Sequence, residues 1–186
     1  MAKFYSELDD KLCEFIDNQK IFFTATAPTE GRINLSPKGM DTFRCCSPKR
    51  VAYLDLTGSG NETAAHLSRT DRITVMFCSF SDRPLILRLY GRGEVVLPDT
   101  AKWQEIWESN DFPDYPGQRQ LIVVEIESVQ TSCGYGVPMF ELPQERSTLV
   151  EWASRKGADG VRKYQLQNNQ ISIDGLDTYP LPDLDR

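Results

Sequence analysis

Hydrophobic positions change their period along the chain, and the changes divide it into predicted elements. Between residues 3 and 19 the apolar side chains recur at helical spacing, whereas later apolar segments mostly alternate with polar residues. The N-terminal segment is therefore predicted to be an amphipathic helix that ends at Asp17 and Asn18. The residues that carry its helical spacing are Phe4, Leu8, Leu12, Phe15 and Ile16.

Alternating segments rich in aromatic and β-branched residues predict strands, and the Gly, Pro, Asn and Asp clusters between them predict turns. Pro28 to Gly31 closes a hairpin between the first two strands. Gly91 and Gly93 are expected to be bulge or close-approach positions in the longest strand. The predicted strands are Ile21 to Ala27, Arg32 to Ser36, Thr42 to Cys46, Val51 to Leu56, Arg72 to Phe80, Leu85 to Leu97 and Gln120 to Val129.

Three further helices and a last hairpin complete the pattern. One helix runs to Leu67 with Asn61 as its N-cap, and a second runs to Trp107 with Asp99 as its cap. A third helix is predicted from Glu145 to Lys156, and a short hairpin from Tyr164 to Ile173. Short strands joined by tight turns predict a mainly β (α+β) antiparallel barrel with peripheral helices. No G-x-G-x-x-G sequence supports a doubly wound dinucleotide fold.

Length and charge narrow the class of protein. A chain of 186 residues is about one domain and can bury a core without disulfides. A net charge of -6 repels nucleic acid and anionic membrane surfaces, so any bound phosphate must be held by local groups. Because no apolar run approaches a membrane span and no basic start precedes an apolar segment, we expect a cytoplasmic protein.

The cysteine pattern argues against a metal site. The chain has five cysteines and one histidine, and no C-x-x-C pair occurs. We therefore expect no structural zinc. Cys78, in an apolar strand-like run, is interpreted as a small core residue.

The segment from Thr57 to Leu67 is suited to binding phosphate. A strand ends there in a glycine-bearing loop whose backbone N–H groups open a helix, and such groups attract anions. An ordinary strand-to-helix loop with an asparagine cap explains the segment equally well. The candidate binding residues are Ser59, Gly60, Asn61, Glu62 and Thr63.

Two other segments are candidates for ligand contact. Asn34 to Gly39 is a strand that stops at Pro37, where a planar ligand could lie against the backbone. A hairpin strand that simply leaves the sheet is the alternative. In the long strand, alternation places Arg88, Tyr90 and Arg92 on one face, which a solvated charged surface also explains.

The order of these motifs over about residues 5 to 130 resembles the flavin-binding split barrel of the pyridoxamine 5'-phosphate oxidase-like superfamily. The motifs are Ser36-Pro37-Lys38-Gly39, the strand Val51 to Leu56 with its glycine loop and short helix, and Leu87-Arg88-Leu89-Tyr90-Gly91. The resemblance implies a Greek-key split β-barrel over residues 1–138 and a C-terminal extension, 139–186, packed on it. It also implies a homodimer that binds flavin mononucleotide (FMN).

The resemblance assigns roles to the candidate residues. The run Ser36, Pro37, Lys38 and Gly39 would line the flavin, and Asn34 is a further cofactor-binding candidate. Ser59 to Thr63, together with Arg88, would approach the phosphate or the ribityl chain. The partner subunit would complete the pocket through Cys133 to Gly136.

Two departures separate this chain from the oxidase itself. The oxidase has a basic pair where this chain has Glu62-Thr63, and its C-terminal Trp and Arg substrate-binding pattern is missing here. We therefore do not expect oxidation of pyridoxamine phosphate, but a flavin-dependent oxidoreductase with another substrate. The alternatives are a non-enzymatic flavin-binding or sensing module and a cofactor-free dimeric scaffold. No catalytic acid or base is assigned, and His66 is interpreted as a helix residue rather than a proton shuttle.

Overall fold

One antiparallel sheet organises the protein. The computed structural model describes residues 2–141 and 144–178. The strands lie in the order β3-β2-β6-β7-β8-β5-β4, and β1 pairs with the free edge of β8. The strands are β1 Lys3–Tyr5, β2 Ile21–Thr26, β3 Asn34–Gly39, β4 Phe43–Ser47, β5 Arg50–Leu56, β6 Arg72–Cys78, β7 Ile86–Val96 and β8 Gln118–Ser132. The helices are α1 Asp10–Asp17, α2 Glu62–Leu67, α3 Ala101–Asn110 and α4 Thr148–Asn168.

A short connection between β3 and β4 curls this sheet into a split barrel. The two strands lie at opposite ends of the strand order, yet β3 ends at Gly39 and β4 begins at Phe43. Four residue steps span at most about 14 Å, so the two outer strands must lie near each other. No pairing joins β3 to β4 in the described sheet, which leaves the barrel split at this point. The predicted mainly β split-barrel fold is confirmed.

Aromatic side chains from both ends of the sheet meet inside the barrel. The ring of Phe22 on β2 lies 5.0 Å from that of Phe43 on β4 and 5.4 Å from that of Tyr53 on β5, between ring centroids. Phe77 on β6 contacts both Phe22 and Phe43. These edge-to-face and tilted contacts hold the two halves of the curled sheet together.

A second apolar cluster covers the outer face of β5 and β8. Leu54 and Leu121 point outward from these strands and pack against Trp103 and Ile106 of α3. Trp103 and Trp107, one turn apart on α3, are stacked at 5.2 Å, and the packing of Trp103 and Ile106 holds α3 against the sheet. Among the described helices, none has the length and apolarity that a membrane crossing requires.

The start of the chain differs from the prediction. Residues Lys3–Tyr5 are a strand, and the helix begins only at Asp10, where Asp9 caps it by accepting from the Leu12 amide. The reason is tertiary, because β8 extends beyond the start of β5 at Arg50 and pairs its residues Val129 to Thr131 with β1. The helical spacing at Phe4 was therefore misleading.

The cap of α3 and the C-terminal elements also differ. Thr100, not Asp99, caps α3, because its hydroxyl accepts from the Trp103 amide. The predicted helix Glu145 to Lys156 and hairpin Tyr164 to Ile173 are wrong in their bounds, since α4 runs to Asn168. It consists of two helical pieces joined at Gly157, whose φ of 68° and ψ of 170° are not helical. In the described part of the chain no hairpin forms around Asn168 and Asn169, and an isolated bridge between Ile171 and Asp177 closes a turn farther along the chain.

Strand β7 has the predicted irregularity at a glycine. The register between β7 and β8 shifts between Tyr90 and Gly91, and a Cβ at Gly91 would lie 2.1 Å from the carbonyl oxygen of Glu125. A side chain is excluded there by the close approach of the backbone. Part of the predicted extension, residues 179–186, lies outside the described residues.

Candidate functional site

A cavity of about 1210 Å³ opens where the ends of β3 and β5 face α4. Its volume exceeds the range of about 300–1,000 Å³ that is common for small-molecule sites, so it has room for a nucleotide-sized ligand. Among the residues that border it on the barrel side are Lys20, Pro37, Lys38, Gly39, Met40, Thr57, Gly58, Ser59 and Phe80. From the C-terminal part of the chain they include Phe140, Glu145, Arg146, Leu149, Trp152 and Tyr164.

The loop after β5 is held from two directions. The Thr57 amide donates to the Gly117 carbonyl at 2.8 Å, and the Thr57 hydroxyl accepts from Gln165 Nε2 at 2.7 Å. The carbonyl of Gly58 accepts from Asn169 Nδ2 at 3.2 Å. Within residues 2–141 and 144–178, the N–H groups of Gly58 and Ser59 have no hydrogen-bond acceptor. The loop therefore presents two free donors beside the cavity.

A buried carboxylate lies behind this loop. Asp55 is 2% exposed, and its oxygens accept from Lys38 Nζ at 2.9 Å, Arg119 Nη2 at 2.7 Å and Gln120 Nε2 at 2.8 Å. Burial disfavours the charged form, but Arg119 and Lys38 outweigh it and hold the pKa of Asp55 below its usual range. Two cations and one anion leave the cluster with one net positive charge at the edge of the cavity.

The same cluster reaches the loop that follows. Arg119 Nη1 donates to the Gly60 carbonyl at 3.1 Å, and Gln120 Nε2 donates to Asn61 Oδ1 at 2.8 Å. Asp55, Arg119 and Gln120 thus position residues 57–61. Sequence reasoning missed all three residues. A signal was present, because a charged residue inside the apolar strand Arg50–Leu56 needs a buried partner.

The structure brings some of the predicted site residues together. Pro37, Lys38, Gly39 and Ser59 all border the cavity. Ser36 does not, although it lies next to Pro37 in β3 and pairs with Thr24. The end of β3 and the loop after β5 therefore meet at one cavity.

Asn34 and Thr63 lie elsewhere, in a buried polar cluster between β2 and α2. Asn34 Nδ2 donates to the Thr63 hydroxyl at 3.2 Å, and the Thr26 hydroxyl lies 3.0 Å from His66 Nδ1. His66 is 1% exposed and lies in α2. Burial also raises the pKa of the neighbouring Tyr53 phenol. This cluster joins α2 to the barrel.

Asn61 and Glu62 contact the C-terminal segment. The prediction that the Asn61 side chain caps α2 is wrong, because it donates to the Asn169 carbonyl and accepts from Gln120. Glu62 Oε1 accepts from the Ile173 amide at 3.0 Å. The C-terminal segment thus covers the start of α2, where the sequence analysis expected phosphate.

Arg88 lies on the outer face of β7. It pairs with Met76 and Gln130 across the sheet, and its guanidinium lies 3.5 Å from the Ser132 hydroxyl. In the described structure Arg88 does not border the cavity. Its predicted contact with phosphate stays a prediction.

Comparison with known proteins places this geometry in a family. The family model described as pyridoxamine 5'-phosphate oxidase matches residues 8–133, which include β2 to β8 and the loop after β5. The chain belongs to the pyridoxamine 5'-phosphate oxidase family. A protein of Aspergillus flavus named pyridoxamine 5'-phosphate oxidase family protein ustO is 37% identical over 194 residues, covering 95% of this chain and 77% of that protein.

Solved structures agree in fold at low sequence identity. HupZ from Group A Streptococcus is 19% identical with a TM-score of 0.52, covering 66% of this chain and 91% of that one. A Lactobacillus delbrueckii protein described as a candidate pyridoxamine 5'-phosphate oxidase is 17% identical with a TM-score of 0.52. The match covers 67% of this chain and 94% of that one. These likenesses show that the barrel is shared.

Proposed function

We propose that this protein binds FMN and acts as a flavin-dependent oxidoreductase. The observation that carries the proposal is the meeting of β3 and the loop after β5 at one large cavity. There the free N–H groups of Gly58 and Ser59 border the same cavity as Lys38. Family membership supports it independently.

The residues around the cavity fit both ends of an FMN molecule. Backbone donors of residues 58 and 59, the Ser59 hydroxyl and Lys38 suit a phosphate, which takes N–H and ammonium donors readily. Apolar and aromatic side chains such as Met40 and Trp152 suit a planar ring. When bound, a flavin supplies hydride or electron transfer, while the protein supplies position and electrostatics. No side chain is assigned as an acid or base.

A spectrum of the purified protein tests the proposal. Protein purified from cells, or mixed with FMN and separated from free nucleotide, should show an oxidised-flavin absorption band. It should bind FMN more tightly than riboflavin, because riboflavin lacks the phosphate that residues 58, 59 and Lys38 would hold. Equal affinity would remove the phosphate argument. If neither flavin binds, a cofactor-free scaffold becomes the better explanation.

The proposal includes a cytoplasmic homodimer with two symmetric sites. Exposed apolar side chains on and beside the edge strand β3 support an interface between copies, with Ile33 76% and Leu35 65% exposed.

We also propose that residues 1–138 are the flavin-binding domain and 139–186 its extension. Cell fractionation tests the location, and limited proteolysis tests the boundary.

A further inference from the structure

The C-terminal helix supplies an aromatic surface that none of the motifs in the sequence predicted. Trp152 and Tyr164 both border the cavity, with their ring centroids 5.0 Å apart in an edge-to-face contact. The Lys156 ammonium lies 5.3 Å from the Trp152 ring centroid and 5.6 Å from that of Tyr164. The two rings and the cation form a compact cluster, which we call the aromatic corner.

The kink in α4 creates the aromatic corner. Twelve residues separate Trp152 from Tyr164, and in an unbroken helix they would lie about 18 Å apart along the axis. Their rings touch because the chain changes direction at Gly157, where φ is 68° and ψ is 170°. That region of backbone conformation is essentially restricted to glycine. The cavity wall therefore depends on one glycine outside the cavity.

The aromatic corner is anchored to the barrel. Ala153, Val161 and Gln165 are buried, and Gln165 Nε2 holds the Thr57 hydroxyl at 2.7 Å. The same helix thus contacts the loop that bears the free N–H groups and carries the rings of the cavity wall. The distance between the loop after β5 and the rings of α4 is therefore fixed by contacts within one chain.

Both polar donors and apolar surfaces border the cavity. Lys38, Gly58 and Ser59 provide donors, and Leu149 and Trp152 provide an apolar and aromatic surface on α4, beside the charged side chains of Glu145 and Arg146. FMN needs both kinds of contact, since one end is a dianionic phosphate and the other a planar ring system. Aromatic side chains bind planar rings through stacked or edge-on contacts of about 0.5–1.5 kcal/mol beyond simple burial.

We propose that Trp152, supported by Tyr164, is a wall against which the flavin ring packs, so that one side of the ring pocket comes from the same chain that supplies the phosphate loop. This inference rests on the proposed binding of FMN. It adds a contact from α4 to the one expected from the partner's residues 133–136. Trp152 is then a flavin-binding residue.

Titration of the full-length protein with FMN and with riboflavin tests the assignment. Trp152→Leu should weaken binding of both flavins by about tenfold, because both carry the same ring. Trp152→Phe should stay within about threefold of the unaltered protein, since an aromatic surface remains. Binding is followed by the quenching of flavin fluorescence, which should be weaker in Trp152→Leu even at saturation.

Trp107→Leu is the matched control. Trp107 lies on α3, stacked on Trp103, and does not border the cavity, so its replacement should leave both affinities unchanged. Thermal unfolding of each variant identifies any loss of folded protein. Unchanged affinity of Trp152→Leu for both flavins overturns the wall assignment and leaves the proposed function standing. A loss for FMN alone also overturns it, and failure of the unaltered protein to bind either flavin overturns both proposals.

Discussion

Lys38 combines two roles at the residue scale, because its ammonium both borders the cavity and contacts the Asp55 carboxylate. We predict that Lys38→Met weakens binding of FMN by about tenfold or more, the effect of losing one charge-assisted contact of roughly 1.5–3 kcal/mol. Binding of riboflavin should change little, since it has no phosphate. Fluorescence titration of both ligands measures the difference.

Arg88→Met is the comparison for this experiment. Like Lys38, Arg88 is a cation that the sequence made a candidate for binding the cofactor. It lies on the outer face of β7, however, and does not border the described cavity. We expect its effect on FMN binding to be smaller than that of Lys38→Met. The reverse order would mean that the phosphate lies at the outer face of the sheet.

Asp55 makes stability depend on pH. Its pKa is lower in the folded protein than its ordinary value of 3.8, so the charged carboxylate stabilises the fold above about pH 4. This contribution is lost as pH falls through the lowered pKa. At pH 7 we predict that Asp55→Asn is less stable by about 3–5 kcal/mol, because Lys38 and Arg119 lose their buried anion.

Urea unfolding at a series of pH values measures this effect. The difference in free energy of unfolding between the unaltered protein and Asp55→Asn should narrow below about pH 4. Asp71→Asn is the control, since Asp71 forms an exposed pair with Arg92 and its loss should change stability little. A constant difference across the pH range would contradict the role given to the Asp55 charge.

At the scale of elements, α4 links the barrel loop to the aromatic corner through Gly157. Gly157→Ala should destabilise the protein by about 1–3 kcal/mol, because alanine does not readily adopt this backbone conformation. Nothing lies within 4 Å of the added methyl group, so crowding is not the cause. Gly136→Ala is a control, because its added Cβ also meets nothing and its φ is not positive. Thermal unfolding of both variants checks the prediction, and equal melting temperatures would refute it.

The role of Glu62 is set by a contact with the C-terminal segment. The sequence has an acid here, where the oxidase has a cation, and a negative charge opposes phosphate binding. In the structure its carboxylate accepts the Ile173 amide and joins the C-terminal segment to α2. An anion is therefore retained at this helix because another part of the same chain supplies its donor.

At the scale of the whole molecule, the curled sheet leaves apolar side chains on β3 in solvent. Leu35 is 65% exposed, and a homodimer would cover it. We predict that the protein is a dimer at micromolar concentration and that Leu35→Glu shifts it toward monomer, since a buried interface does not accommodate an unpaired charge. Light scattering measures the mass of both proteins.

Leu166→Glu is the control for this test. Leu166 is 52% exposed and lies on α4 rather than on β3, so the added charge should leave the dimer intact. A monomeric unaltered protein would reject the dimer. Dissociation by Leu166→Glu but not by Leu35→Glu would place the interface on α4 instead.

Local patterns in the sequence were sufficient for most strands and for the fold class. Alternation depends on a single strand having one buried face, as in β7, where buried and less buried residues follow each other. The bulge at Gly91 was also predictable, because a glycine within such a strand indicates close approach of a backbone. The end of β3 and the glycine loop were recognised as candidate ligand sites for similarly local reasons.

Contacts between distant segments decided the rest. The strand at Lys3–Tyr5 forms because β8 has an unpaired edge, and α4 continues past Lys156 because Val161 and Gln165 bury against the barrel. The partners of Asp55 come from β3 and β8, and the rings of the cavity wall come from both sides of a kink. Sequence periodicity determined which residues form strands and which face is buried, since both depend on neighbours in the chain. Only the tertiary structure decided which charges and rings share a site, because such contacts join residues that are far apart in the chain, as the 64 positions between Asp55 and Arg119 illustrate.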